Sequence, residues 1–167
     1  MIHVYLVRHA IAEDRDSARW PDDSERPLTR RGIARFRSAA RGLGELVAHV
    51  EAVYASPHAR ALQSAEILHE VTGWPVPRPC PALATTRRPA DALPILQALT
   101  ESASVALVGH EPNLSSLASL LVAGDEGALR LELKKGAVAL LVLPASPAPG
   151  AATLRWSLSP KILRSLD

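Results

Sequence analysis

The sequence predicts an α/β protein, a three-layer α/β/α sandwich around a mostly parallel but mixed sheet. Three observations predict it. The chain has 167 residues, enough for one ordinary domain (1–167) with a real hydrophobic core. Through its first two-thirds, short apolar runs alternate with helical patterns, as β-α-β units do. Near the end, two strand-like runs follow one another with only a Pro/Ala loop between them, so part of the sheet is antiparallel.

The first strand starts at Ile2 and ends at Arg8-His9. A polar connection from Ile11 through Glu25 follows, long enough to suggest a functional loop. Thr29 reads as the N-cap of a helix reaching to about His49, with Ile33, Phe36, Ala40, Leu43, Leu46 and Val47 as its apolar stripe. The second strand is Ala52–Ala55. Ser56-Pro57 reads as N-cap and first helical position of a helix that carries Leu62, Ala65, Ile67, Leu68 and Val71 and stops at Gly73. A short strand is expected near Val76, then an irregular proline-rich stretch from Arg78 to Pro89, then a helix over about 90–99. The third apolar run, Val105–Val108, leads to Gly109-His110, and Pro112 opens a helix running through Val122. After a turn at Gly124–Gly127 come strands near Val138–Leu143 and Leu154–Leu158.

Composition narrows the function classes. A net charge of +2 gives no reason to expect nucleic-acid binding, and no apolar stretch reaches membrane-spanning length. Cys80 is the only cysteine, so no intrachain disulfide can form, which agrees with a reducing cytoplasm. No secretory signal is visible ahead of the strand that begins at Ile2, and cytoplasmic localisation is the expectation. The cations are nearly all arginine, whose planar donor fork suits phosphate.

The chemistry is concentrated where strands end. In an open α/β sheet, ligands bind beyond the carboxyl ends of the strands. Three apolar runs here hand over to clusters containing Arg or His: Val7-Arg8-His9, Ser56-Pro57-His58-Ala59-Arg60 and Gly109-His110-Glu111-Pro112-Asn113. Arg8 and Arg60 can each offer bidentate donors to phosphoryl oxygens, and Arg60 sits in the first turn or so of a helix whose positive end would face an anion. His3, His49 and His69 read as ordinary strand or helix-surface residues, and His58, though close to the clusters, is left out of the site.

In these segments the chain resembles the histidine phosphatase, or phosphoglycerate-mutase-like, superfamily, and within it the short SixA-type phosphohistidine phosphatases. The matching residues are Leu6-Val7-Arg8-His9-Ala10, Arg26-Pro27-Leu28-Thr29, Ser56-Pro57 with Arg60-Ala61 and Gln63-Ser64-Ala65-Glu66, and Val108-Gly109-His110-Glu111-Pro112, in the family's order over about two-thirds of the chain. The resemblance implies a phosphoglycerate-mutase-like fold. It implies that Arg8, Arg60 and His110 hold a phosphoryl group while His9 attacks phosphorus to form a covalent phosphohistidine that water then cleaves. No metal or cofactor is expected, since the cations come from side chains.

Mutase-like relatives carry a glutamate in the segment after the third strand. Here residues 80–90 hold no carboxylate before Asp91, so Glu13, Asp14 and Asp91 are the candidate general acids. The departure disfavours alcohol esters, whose alkoxide leaves poorly without a proton donor. It favours a P–N bond, because imidazole, with a pKa near about 6.5, leaves as a neutral base. The small size leaves no room for a large inserted cap, which suits a phosphohistidine presented on a protein surface. Expected partners are therefore a phosphorylated protein or a small phosphorylated substrate, with Arg15, Arg19, Arg26, Arg87 and Arg88 as possible recruiters of an acidic partner. A phosphatase of small phosphate esters or phosphoramidates, and a non-catalytic phosphate-binding adaptor, stay open as alternatives.

Overall fold

The computed structural model describes all 167 residues. Six strands form one sheet: β1 (Ile2–Arg8), β2 (Ala52–Ala55), β3 (Arg78–Pro79), β4 (Ser104–Gly109), β5 (Val138–Leu143) and β6 (Thr153–Leu158). They lie in the order β3-β2-β4-β1-β5-β6. Pairing is parallel from β3 to β1 and antiparallel from β1 through β5 to β6. Five helices cover it: α1 (Arg30–Leu46), α2 (Ala59–Thr72), α3 (Leu93–Gln97), α4 (Asn113–Ala123) and α5 (Pro160–Arg164).

The side chains of a strand alternate between faces, and the central strand feeds two cores. Tyr5 and Val7 pack with Phe36 and Leu43 of α1, Leu68 of α2 and Leu163 of α5. Ile2, Val4 and Leu6 pack with Leu96 of α3 and with Leu114, Leu117 and Leu121 of α4. Helices therefore lie on both faces of the sheet, which explains why β1, β4 and β5 read as continuous apolar runs.

Several boundaries differ from expectation for identifiable reasons. The Thr29 hydroxyl accepts the Gly32 N–H at 2.8 Å, as an N-cap should. The helix it opens stops at Leu46 rather than near His49. Val47 leaves the helix to enter the core, its carbonyl taken by the Trp74 indole N–H at 3.2 Å, and Leu46 faces solvent instead of joining the stripe. Ser56 is not the cap of α2, which begins at Ala59 after His58. The Ser56 hydroxyl is engaged by His110 and by the His58 N–H instead. The edge strand forms at Arg78–Pro79, while Val76 is exposed. The helix expected over 90–99 divides into a 3-10 turn, Pro89–Ala92, and the short α3. Helix α5 was not expected: one turn is too short for a periodic signal, and only Ser159, whose hydroxyl accepts the Ile162 N–H, marks its start.

Candidate active site

Strand register delivers the predicted residues to one edge. Arg8 pairs across from Gly109, and Ala55 from Val108. The residues that follow therefore leave the sheet together. The His9 N–H donates to the Gly109 carbonyl at 3.0 Å, and the Ser56 N–H to that of Val108 at 2.9 Å. Arg8, His9, Arg60 and His110 line one cleft of about 300 Å³ with no hydrophobic residue in its wall. Arg15, Arg26 and Lys135 add positive charge there.

His9 is 6% exposed, and its Nδ1–H donates to the Ala10 carbonyl at 2.7 Å. That bond fixes the tautomer and leaves Nε2 with a free lone pair. Burial drives the His9 pKa down to about 3 against the pull of the Ala10 hydrogen bond, with Arg60, Arg8 and Lys135 assisting, so the ring is neutral at pH 7. The His110 ring centre lies 5.1 Å from that of His9, and its Nε2 is 2.8 Å from the Ser56 hydroxyl. Burial first, then His9, Arg60 and His58, bring its pKa to about 2.

Each site arginine is anchored through its terminal nitrogens while its Nε lacks a partner. Arg8 donates through Nη1 to the Leu133 carbonyl at 2.8 Å. Arg60, 2% exposed, donates to the Asp23 carbonyl at 2.8 Å and pairs with the Asp23 carboxylate at 3.1 Å. Arg26 takes the other Asp23 oxygen at 2.8 Å, and its hydrogen bond is the main cause holding that carboxyl below the usual range. Five buried side-chain polar atoms lack a protein partner, and three of them belong to residues of this cleft: Arg8 Nε, Arg60 Nε and His110 Nδ1. Buried donors are normally satisfied, so these groups are set to receive an anion with several acceptor oxygens.

Residues 4–84 match the histidine phosphatase superfamily (branch 1). The chain superposes on the protein histidine phosphatase SixA complexed with tungstate, at 30% identity over 96% of this chain and 99% of that one, with a TM-score of 0.83. The chain belongs to the histidine phosphatase superfamily. An uncharacterised protein of Picosynechococcus sp. is 36% identical over 143 residues, 82% of each chain. A mycobacterial glucosyl-3-phosphoglycerate phosphatase in complex with inorganic phosphate shares the fold at 17% identity, with a TM-score of 0.74 over 95% of this chain and 98% of that one. The protein is a phosphatase with the expected α/β fold, and no helix is long and apolar enough to cross a membrane.

The carboxylates of this histidine phosphatase sort differently from expectation. Glu13 and Asp14 line the cleft. Asp91 does not: it sits in the 3-10 turn, where its carboxylate accepts the Arg88 N–H at 3.2 Å and lies 3.6 Å from the Arg88 guanidinium. From the segment after β3, only Thr85 reaches the cleft. Glu111 does line it, and burial raises its carboxyl above the usual range against hydrogen bonding from Ser115. Of the arginines read as recruiters of an acidic partner, Arg19, Arg26 and Arg88 are engaged with Glu13, Asp23 and Asp91. His58, left aside on sequence grounds, is 9% exposed, with its ring centre 4.8 Å from that of His110. Its only sequence signal was its place between Ser56 and Arg60.

Proposed function

We propose that this phosphatase hydrolyses phosphohistidine carried on a protein, with His9 as nucleophile and Arg8, Arg60 and His110 holding the phosphoryl group. The observation that carries the reading is the neutral, Nδ1-anchored His9 set among unpartnered donors. Nε2 of His9 attacks phosphorus as the bond from phosphorus to the substrate imidazole breaks. The leaving nitrogen keeps the bonding pair and takes a proton from solvent. Water then attacks the phosphorus on His9, inorganic phosphate departs, the water proton goes to solvent, and His9 recovers its free Nε2. Throughout, Nδ1–H stays on the Ala10 carbonyl, and the guanidinium groups neutralise charge on the equatorial oxygens.

The preference for a P–N bond rests on the leaving group. An imidazole needs no donor from the enzyme, and the segment after β3 supplies no carboxylate to the cleft. A second reading, a small phosphate ester, is favoured by Glu111, a carboxyl in the cleft wall that burial raises above its usual range. Single-turnover reactions with a ³²P-phosphohistidine protein and with a simple phosphate ester, each quenched in acid and in base, separate the two. The expected result is a transient acid-labile, base-stable label on the enzyme, absent in His9→Ala, and faster turnover of the P–N substrate. A label that persists in His9→Ala overturns the nucleophile. An ester consumed as fast as the phosphohistidine overturns the substrate.

A further inference from the structure

Lysine occurs in this chain only at 134, 135 and 161, and the fold gathers all three around one cavity. The cavity, about 210 Å³, lies beside the catalytic cleft between α1, the turn before β5 and the start of α5. Arg35 and Arg164 join the lysines, and Phe36, Gly136 and Pro160 complete much of the wall. No carboxylate lines it, and none of these five cations forms an ion pair. Arg19, Arg26, Arg37, Arg41, Arg60 and Arg88, by contrast, each meet a carboxylate, and all six lie outside this cavity. Unpaired like charges repel one another, and the folded chain gains nothing by collecting them.

The turn that carries two of these lysines also builds the active site. Arg8 donates to the Leu133 carbonyl, and the Gly136 N–H donates to the carbonyls of both Arg8 and His9 at 3.1 Å. Gly136 has φ +83°, and a Cβ there would press to 3.3 Å from the Phe36 ring, so a side chain would strain the turn and crowd the cavity wall. Lys134 faces the second cavity only, whereas Lys135 lines both. An anion in the second cavity and a phosphoryl group at His9 would therefore share a wall.

We propose that this cavity is a second anion-binding site, one that takes an acidic segment of the protein bearing the phosphohistidine. The substrate is then held at two points joined through Lys135. The identity of the bearer rests on the function proposed above; the anion site does not. Arg35, Lys134, Lys135 and Lys161 are exposed along the rim, which fits a solvated run of carboxylates better than an enclosed small molecule. It also offers more positive charge than a single carboxylate neutralises.

The test is the binding of a fluorescent hexaglutamate peptide at low salt to the whole chain, to Lys134→Gln/Lys161→Gln, and to Arg78→Gln/Arg130→Gln. The last variant has the same net charge, with both changes on exposed arginines that do not line the cavity. Binding about tenfold weaker in the lysine variant and within about twofold of wild type in the arginine variant is expected. Equal losses in both variants reduce the effect to net charge and overturn the site, as does no loss in the lysine variant. Kinetics with two phosphohistidine peptides, one flanked by glutamates and one by glutamines, then tests the bearer. KM for the glutamate peptide should rise about tenfold in Lys134→Gln/Lys161→Gln at unchanged kcat, and the glutamine peptide should be unaffected. A rise for both peptides overturns the two-point substrate. If wild type turns over neither peptide, the proposed function fails while the hexaglutamate result still judges the cavity.

Discussion

One hydrogen bond sets the proton position at His9: with Nδ1–H on the Ala10 carbonyl, Nε2 keeps its lone pair, and it is the nitrogen the proposed reaction uses. Glu111, the neighbour of the other site histidine, carries a separate prediction. Its Oε1 accepts the Ser115 N–H at 3.1 Å. Glutamine keeps that acceptor but has no carboxyl proton to give. In Glu111→Gln, hydrolysis of an ester with a poor leaving group, such as phenyl phosphate, should fall by about 10²-fold. Hydrolysis of a phosphohistidine peptide should be unchanged. Parallel losses on both substrates would assign Glu111 to packing alone. Arg8, His9, Arg60 and His110 were legible in the sequence because each sits at or just beyond a strand end or in the first turn of a helix, where backbone position alone fixes the destination. The side chains of His58 and Glu111 were not, because their directions depend on how the turns around them pack.

Helix α2 does more than present Arg60. The Ser64 hydroxyl donates to the Arg60 carbonyl at 2.7 Å and accepts the Ala10 N–H at 3.0 Å, tying the turn after His9 to the helix. Gln63 accepts the Leu28 N–H at 2.8 Å and so holds the end of the long loop. Ser64→Ala leaves the Ala10 N–H buried without an acceptor. It should cost about 1–3 kcal/mol in urea unfolding and lower kcat more than it raises KM, because it disturbs the carbonyl that orients His9. A full loss of stability with wild-type kcat would detach this link from catalysis. At this scale β1, β4 and β5 were the most legible elements, since burial on both faces leaves an unbroken apolar signature, whereas the exposed edge strand β3 left none. Ser56 misled because a serine before a proline is locally a good cap, and only the approach of β4 brings His110 to claim its hydroxyl.

For the whole molecule, the two buried histidines link stability to pH. Unfolded, each titrates near about 6.5. Folded, they are held to about 3 and about 2. Between those values the unfolded chain binds protons that the folded chain refuses, so their effect on stability is flat above pH 7 and turns unfavourable as pH falls. Between pH 7 and pH 5 the loss should be about 2 kcal/mol per histidine. Urea midpoints of wild type and of His9→Ala/His110→Ala at the two pH values measure it. The variant should lose clearly less, and an equal loss would show that the acid sensitivity lies elsewhere.

The two-sided packing of β1 has a consequence for heredity as well as for folding. Odd positions Tyr5 and Val7 serve one core, even positions Val4 and Leu6 the other, and the same count brings Arg8 level with Gly109. A single-codon insertion or deletion in this strand would exchange the two faces and shift guanidinium and imidazole out of step with β4. Parity thus joins fold and reaction in one reading frame. Length changes in this strand should be lost from a lineage together with activity.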